Sequence, residues 1–156
     1  MSRCLVAYFS VSGVTAGVAE KLAAETGAGL FEIRPVVPYT EKDVRWTNPT
    51  ARCNKEKFGR KEVPIADTIE DFDSFDVIFI GFPVWYYSCP NIIATFLKSY
   101  DFTGKKLAFF ATSGGSDIAP EKLRPLISGD ATFAAAKRFA QDVSADKLRQ
   151  WAQGII

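Results

Sequence analysis

The sequence predicts an α/β fold with three layers, in which helices cover both faces of a five-stranded parallel sheet of order 2-1-3-4-5. Five strand-like apolar runs alternate with helical patterns along the 156 residues, and this alternation is typical of parallel strands joined by right-handed crossovers. The first, third and fourth runs are continuously apolar, as in central strands, whereas the second and fifth are partly polar, as at sheet edges. The length favours a single domain over residues 1–156.

The first part of the chain supplies two strands and the helix between them. Residues 4–9 (CLVAYF) form the first apolar run, and residues 14–25 repeat apolar side chains at helical spacing. Gly27 follows them as a left-handed helix cap. In residues 30–35 (LFEIRP) apolar and charged side chains alternate, which indicates a strand at an edge of the sheet.

The second half of the chain supplies three more strands. Residues 76–82 (DVIFIGF) and 106–112 (KLAFFAT) are continuous apolar runs, as expected for strands covered on both faces. Residues 91–100 between them predict a helix, with Pro90 at its start, where a missing N–H group costs little. The remaining elements are a helix near residues 120–127, a weak strand at 132–139 and a last helix capped by Ser144.

Composition and charge exclude several classes of protein. A formal net charge of +1 argues against nucleic-acid binding, which requires a basic surface. The chain has no histidine, which removes serine–histidine and cysteine–histidine catalysis and histidine-based metal sites. Cys4, Cys53 and Cys89 are too widely spaced to suggest a zinc site or a disulfide framework. The N-terminal apolar run is too short for a signal peptide or a membrane span, so we expect a cytoplasmic protein whose chemistry comes from a cofactor.

The loop after the first strand, residues 10–15 (SVSGVT), is a candidate phosphate site, and we call it the hydroxyl loop. In open parallel sheets, ligands bind at the carboxyl ends of the strands, where the strand order reverses. The helix that begins near Gly13 directs its free N–H groups into this space, and Ser10, Ser12 and Thr15 add hydroxyl donors. The loop lacks the lysine of triphosphate-binding loops, so a phosphate monoester suits it better. The alternative is that Ser12 is an ordinary helix N-cap.

Two further loops follow strands at the same sheet edge. Residues 83–87 (PVWYY), the aromatic loop, place large rings where polar residues are usual. Residues 112–116 (TSGGS), the glycine loop, allow backbone amides to approach a flat ligand. Phosphate donors, aromatic side chains and a glycine-rich loop at one edge predict a site for a phosphorylated planar ring system.

These three loops resemble the flavin-binding loops of the flavodoxin family. SVSGVT resembles that family's [ST]-x-[ST]-G-x-T phosphate loop, while GFPVWYYSCP and FATSGGS resemble its second and third flavin loops. The resemblance covers nearly the whole chain and is greatest to the flavodoxin-like branch with a long segment after the second strand. It implies a flavodoxin-like fold with FMN as the cofactor, bound without a covalent bond.

The resemblance also implies which residues bind FMN. It places the phosphate on Ser10, Ser12, Gly13, Val14 and Thr15. It places the flavin ring between Pro83, Val84, Trp85, Tyr86 and Tyr87 on one side and Thr112, Ser113, Gly114 and Gly115 on the other. Either Trp85 or Tyr86 is expected to stack on the ring. No metal ligand and no catalytic side chain is predicted.

The predicted function is electron transfer through FMN to a redox partner protein or a small-molecule acceptor. The alternative is an oxidoreductase, an NAD(P)H-dependent FMN quinone or azo reductase. Electron-carrying flavodoxins are strongly acidic, and the near-neutral charge of this chain argues against docking by complementary charge. A signalling receiver domain is set aside because residues 81–83 (GFP) lack the aspartate that it requires. A flavin-free interaction module would have to explain the exposed aromatic loop.

Residues 36–62, which we call the long segment, show no clear periodicity and are predicted to form a partial lid over the flavin site. Stretches of this length without secondary structure are uncommon in compact domains and are usually functional or disordered. Tyr39, Trp46 and Phe58 favour an ordered segment, and Arg45 or Arg52 is expected to face the reduced flavin or an anionic substrate. The alternative is that Trp46 seals the outer face of the sheet and the arginines are solvated.

Overall fold

The protein folds around one parallel sheet. The computed structural model describes residues 3–45, 47–59, 62–85, 89–112, 123–127 and 130–156, with Phe58 described by its backbone alone. The strands are β1 (Cys4–Tyr8), β2 (Gly29–Glu32), β3 (Val77–Pro83), β4 (Lys106–Thr112) and β5 (Thr132–Phe139). All neighbouring pairs are parallel and the order is β2-β1-β3-β4-β5, so the predicted fold class and strand order are confirmed.

The described helices flank this sheet. They are α1 (Val14–Thr26), α2 (Arg52–Gly59), α3 (Asn91–Ser99) and α4 (Ala145–Gln153), with short 3-10 turns at Lys42–Val44, Phe72–Ser74 and Arg124–Leu126. Gly27 adopts the expected left-handed cap, and the Ser144 hydroxyl accepts a hydrogen bond from Lys147 N. A helix was predicted near residues 120–127. Only residues 123–127 of this region are described, and they contain the 3-10 turn Arg124–Leu126. None of the helices described is both long enough and apolar enough to cross a membrane.

Helix α2 corrects the prediction that the long segment has no regular structure. Its sequence, RCNKEKFG, has no stripe of aliphatic side chains. Among the α2 side chains that the structure describes, those of Cys53 and Asn54 are buried, and Asn54 Nδ2 donates to the carbonyl of Asn48 at 2.8 Å. Because the sequence of α2 lacks an aliphatic stripe, a search for apolar periodicity does not detect this helix.

Two apolar cores, one on each face of the sheet, produce the three layers. Along β1 and the residue after it, Leu5, Ala7 and Phe9 face the core that contains α3, whereas Cys4, Val6 and Tyr8 face the core that contains α1 and α4. The central strands are therefore buried on both faces, as their continuous apolar runs predict. At the β2 edge, Ile33 is buried and Phe31 packs against the α3 core, which agrees with the alternation in that run.

A glycine in β3 allows close packing just before the site. Gly81 pairs with Phe110 of β4, and a Cβ atom on Gly81 would lie 2.1 Å from the Phe110 ring. The aromatic ring therefore lies directly over the glycine, which leaves no room for a larger side chain. This contact fixes the end of β3, from which the aromatic loop begins.

Candidate functional site

The carboxyl ends of β1, β3 and β4 bring the three predicted loops to one edge of the sheet. Tyr8 at the end of β1 pairs with Gly81 of β3, and Pro83 at the end of β3 pairs with Thr112 of β4. Val84 N then donates to the carbonyl of Thr112 at 3.0 Å, which joins the start of the aromatic loop to the start of the glycine loop. The hydroxyl loop leaves β1 beside them.

The structure describes some of the predicted site residues and not others. The structure places at this edge Ser10, Ser12, Gly13, Val14, Thr15, Pro83, Val84, Trp85 and Thr112. Outside the described residues lie Tyr86, Tyr87, Ser113, Gly114 and Gly115. The predicted binding roles of both sets stay predictions.

The hydroxyl loop leaves the first turn of α1 open to a ligand. Gly13 has φ of +91°, a left-handed conformation that side chains disfavour, and its N–H donates to Ser10 Oγ at 3.1 Å. The N-cap of α1 is Gly13, and no side chain caps the helix there. The alternative assignment of Ser12 as the N-cap is therefore wrong; Ser12 is exposed instead. The first N–H groups of α1 and the Ser12 hydroxyl are available to an anion.

A buried pair of hydroxyl groups connects α1 to β4 beneath this loop. Thr15 Oγ1 and Thr112 Oγ1 lie 2.7 Å apart, and both side chains are buried. One of the two hydroxyl protons is used in this bond, which leaves the other proton for a further acceptor. The sequence predicts both threonines as site residues but does not indicate that they bond to each other, because they are far apart in the chain.

Trp85 packs against the protein rather than standing alone at the edge. Its ring makes edge-to-face contacts with Phe9 and Tyr39, with centroid distances of 5.8 and 5.6 Å, and Phe9 and Tyr39 are 5.4 Å apart. These contacts show that the Trp85 ring packs against Phe9 and Tyr39, and its predicted stacking on a ligand stays a prediction. They also show that the long segment, through Tyr39, covers the end of β1.

A partly buried ion pair holds Tyr39 in this position. Arg52 Nε donates to Glu56 Oε2 at 2.9 Å, and the Arg52 guanidinium lies 3.9 Å from the centroid of the Tyr39 ring. Tyr39 donates its hydroxyl proton to the other oxygen of Glu56. Burial raises the pKa of Tyr39 above its usual value, and the hydrogen bond to Glu56 raises this pKa further. Tyr39 is therefore a neutral donor at physiological pH.

The rest of the Arg52 side chain is also engaged by the long segment. Arg52 donates to the carbonyls of Val37 at 2.8 Å and Pro38 at 3.2 Å. The main-chain carbonyl of Glu56 accepts from Asn91 Nδ2 at 2.7 Å, which joins α2 to the start of α3. Arg52 thus supports Tyr39 and is only partly exposed, whereas the surface alternative predicts a solvated side chain. Arg45 is exposed, and Trp46 lies outside the described residues.

A cleft of about 340 Å³ lies on the β2 side of the hydroxyl loop. Ser10, Val11, Arg34, Val36 and Tyr39 are among its lining residues. Within the described ranges, no three Cys, Asp or Glu side chains come close enough to hold a metal ion. The described residues of the three loops offer hydroxyl groups, backbone amides and an aromatic ring, and Arg34 adds a guanidinium group to the cleft.

Sequence reasoning missed the support that Phe9, Glu56 and Asn91 give to this edge. The one local signal was the spacing of Arg52 and Glu56, because an i,i+4 pair of opposite charge indicates a helix. Contacts between the long segment and residues distant in the chain leave no such pattern in the sequence.

Comparison with known proteins relates the whole chain to one family. A family model described as "Flavodoxin" matches residues 3–155. A crystal structure of a candidate flavoprotein from Bacteroides eggerthii is 35% identical, with 99% of this chain and 98% of that chain covered and a TM-score of 0.87. A second candidate flavoprotein, from Bacteroides uniformis, is 32% identical, with coverages of 97% and 98% and a TM-score of 0.86.

A more distant structure shares the fold. The flavoprotein of Lactobacillus acidophilus, solved in complex with FMN, is 24% identical, with 95% of this chain and 99% of that chain covered and a TM-score of 0.71. A search of curated proteins gave no match.

Proposed function

We propose that this chain, which belongs to the flavodoxin family, binds FMN at the hydroxyl loop and acts in electron transfer. The observation that carries the proposal is the open first turn of α1. Gly13 replaces a capping side chain, and exposed Ser12 lies beside helix N–H groups that no side chain caps. A phosphate group is the ligand that this arrangement suits, because it accepts several hydrogen bonds and carries negative charge at the positive end of a helix.

The residues fit the phosphate monoester of FMN. A Cβ atom on Gly13 would meet no described atom within 4 Å, so the described residues leave this side of the loop open to an approaching anion. The donors are neutral, and the hydroxyl loop contains no lysine that would favour a triphosphate. The related fold of the Lactobacillus acidophilus flavoprotein, solved with FMN, supports the same ligand for this chain.

The chain contributes binding and positioning, while FMN supplies one- and two-electron chemistry when bound. Pro83 and Val84 begin the aromatic loop at the side where the ring is expected. The Val84 N–H is engaged by the carbonyl of Thr112, so this N–H fixes the loops together and does not serve a ligand. Thr112, held by Thr15, fixes the end of β4.

The long segment acts as a brace, which refines the predicted lid. Tyr39 covers Phe9 and Trp85, and the Arg52–Glu56 pair holds Tyr39 in place. We assign to this packed surface the role of keeping water from one side of the flavin site and of fixing the aromatic loop. Stacking on the ring is then assigned to Tyr86.

An NAD(P)H-dependent quinone or azo reductase is the second candidate function. The observation that favours it is the net charge of +1, since an electron carrier that docks by charge needs a marked excess of one sign. A steady-state assay with NADPH and a quinone separates the two functions. Turnover shows a reductase, whereas reduction only by a partner protein shows a carrier.

FMN binding itself is tested by titrating flavin-free protein with FMN while the flavin fluorescence is followed. We expect stoichiometric binding and a yellow protein on purification. Absence of binding would contradict the proposal.

A further inference from the structure

A second cleft, of about 690 Å³, lies between the edge strand β5 and helix α4. One side is lined by Lys137, Arg138 and Phe139 of β5, and the other includes Lys147 and Trp151 of α4. We call it the basic cleft. Its volume lies within the range of small-molecule sites, and no described residue of the flavin loops or of the long segment lines it.

The basic cleft concentrates positive charge in a chain that is nearly neutral overall. Among its described lining residues, three side chains are cationic and one, Asp142, carries a carboxylate. Lys137 and Lys147 are exposed, and neither forms an ion pair within the part of the chain that the structure describes. Arg149 on the same helix is by contrast paired with Glu25 and Asp146. The two lysines are therefore available to an anion, which their combined field attracts.

Aromatic side chains form the apolar part of the basic cleft. Phe139 and Trp151 pack edge to face with centroids 5.2 Å apart, and Trp151 is only half-buried. Lys137 Nζ lies 5.6 Å from the centroid of the Phe139 ring, so charge and ring surface are adjacent. A ligand with both phosphate groups and a planar ring matches this combination.

We propose that the basic cleft binds a nucleoside diphosphate group, with the phosphates near Lys137 and Lys147 and the base near Trp151. Both free nucleoside diphosphates and nicotinamide dinucleotides carry this chemistry. Phe139 pairs with Thr112 across β4 and β5, so the cleft lies one strand from the predicted flavin edge. The idea that a bound dinucleotide acts as the electron donor rests on the proposed function. The existence of the nucleotide site does not depend on that function.

The proposal is tested by calorimetric titration of the full chain, with or without flavin, using ADP, NADP⁺ and inorganic pyrophosphate as separate probes. We expect ADP or NADP⁺ to bind with a Kd of about 1 mM or tighter, and pyrophosphate to bind at least about tenfold more weakly because it lacks the ring. Tighter binding of NADP⁺ than of ADP shows that the cleft also contacts the 2′-phosphate or the nicotinamide half, and equal or weaker binding shows that it recognises the adenosine diphosphate part that the two share.

Two double variants test whether nucleotide binding occurs at the basic cleft. Lys137→Gln with Lys147→Gln should weaken nucleotide binding about tenfold. The control, Lys55→Gln with Lys98→Gln, removes the same charge from exposed lysines of α2 and α3 and should leave binding unchanged. The proposal is overturned if neither nucleotide binds, if pyrophosphate binds as well as ADP, or if both double variants bind alike. Because NADP⁺ binding is measured without turnover, these results do not depend on whether FMN binds.

Discussion

The hydroxyl loop and the long segment border the same sheet edge but differ in how fully their polar groups are engaged inside the protein. In the long segment, Arg52, Glu56 and Tyr39 satisfy one another, with Arg52 and Glu56 side chains only 21% and 13% exposed. In the hydroxyl loop, α1 has no side-chain cap and Ser12 is exposed. Polar groups that are fully engaged inside the protein stabilise the fold, and polar groups left available mark where a ligand binds.

The difference separates two kinds of mutational effect. Changes in the long segment should alter the free energy of unfolding, because partly buried partners lose their hydrogen bonds. Changes at exposed donors of the hydroxyl loop should alter FMN affinity and leave unfolding nearly unchanged. The following substitutions test this separation, from the largest expected effect to the smallest.

Arg52→Ala should give the largest loss of stability. It leaves the partly buried Glu56 carboxylate without its cation beside the partly buried Tyr39, so we expect a loss of about 2–3 kcal/mol in the free energy of unfolding. Urea denaturation measures this loss of stability. Arg149→Ala is the matched control, because Arg149 forms exposed ion pairs, and it should cost less than about 1 kcal/mol. Equal losses in the two variants would show that the long segment is not a brace.

Ser12→Ala should weaken FMN binding without affecting the fold. Loss of one hydrogen bond to a charged phosphate is worth about 1–3 kcal/mol, and the exposed side chain makes no contribution to the core. Fluorescence titration measures the affinity for FMN, and urea denaturation measures the free energy of unfolding. An unchanged affinity would remove Ser12 from the proposed site.

Gly13→Ala should destabilise the protein by about 1–2 kcal/mol, because alanine is strained at a φ of +91°. Gly17→Ala is a control on the next turn: Gly17 is inside α1 and its Cβ would meet nothing within 4 Å. That variant should gain up to about 1 kcal/mol from helix propensity. Thermal unfolding of both variants measures the contrast, and a loss of stability in both would rule out a special role for the left-handed glycine.

Tyr39 should produce a small dependence of stability on alkaline pH. Its folded pKa is raised above the ordinary value of 10.0, so the stabilising contribution is complete below pH 10. As the pH rises above 10, the unfolded chain releases this proton while the folded protein retains it, and stability falls by up to about 1.4 kcal/mol per pH unit. Tyr39→Phe should reduce this slope. If stability falls equally with pH in the two proteins, the pKa of Tyr39 is not raised in the folded protein.

The sequence predicted the fold well because local patterns encode the sheet. β4 and β5 begin and end at the predicted residues, and Ser144 is the cap of α4 as expected. β2 ends at Glu32, earlier than predicted, although Ile33 N still donates to Tyr8 O at 2.6 Å. Apolar periodicity and capping residues act over a few positions, so a single sequence is enough to detect them.

The site was predicted less completely because its geometry depends on contacts between distant residues. The sequence identified the hydroxyl loop but not that Gly13, rather than Ser12, caps α1. It named Arg45 or Arg52 as facing the flavin or an anionic substrate, with solvated arginines as the alternative, whereas the structure pairs Arg52 with Glu56. A partner far along the chain leaves no periodic signal, so the sequence cannot distinguish a donor available to a ligand from a donor engaged in the protein.

The affinity of the flavin-free protein for FMN relative to riboflavin tests most directly whether the hydroxyl loop holds a phosphate. The two ligands share the flavin ring and the ribityl chain and differ in the phosphate. With two or more hydrogen bonds to that group, FMN should bind at least about 100-fold more tightly than riboflavin. Equal affinities would show that the loop does not bind the phosphate, and the proposed site would be wrong.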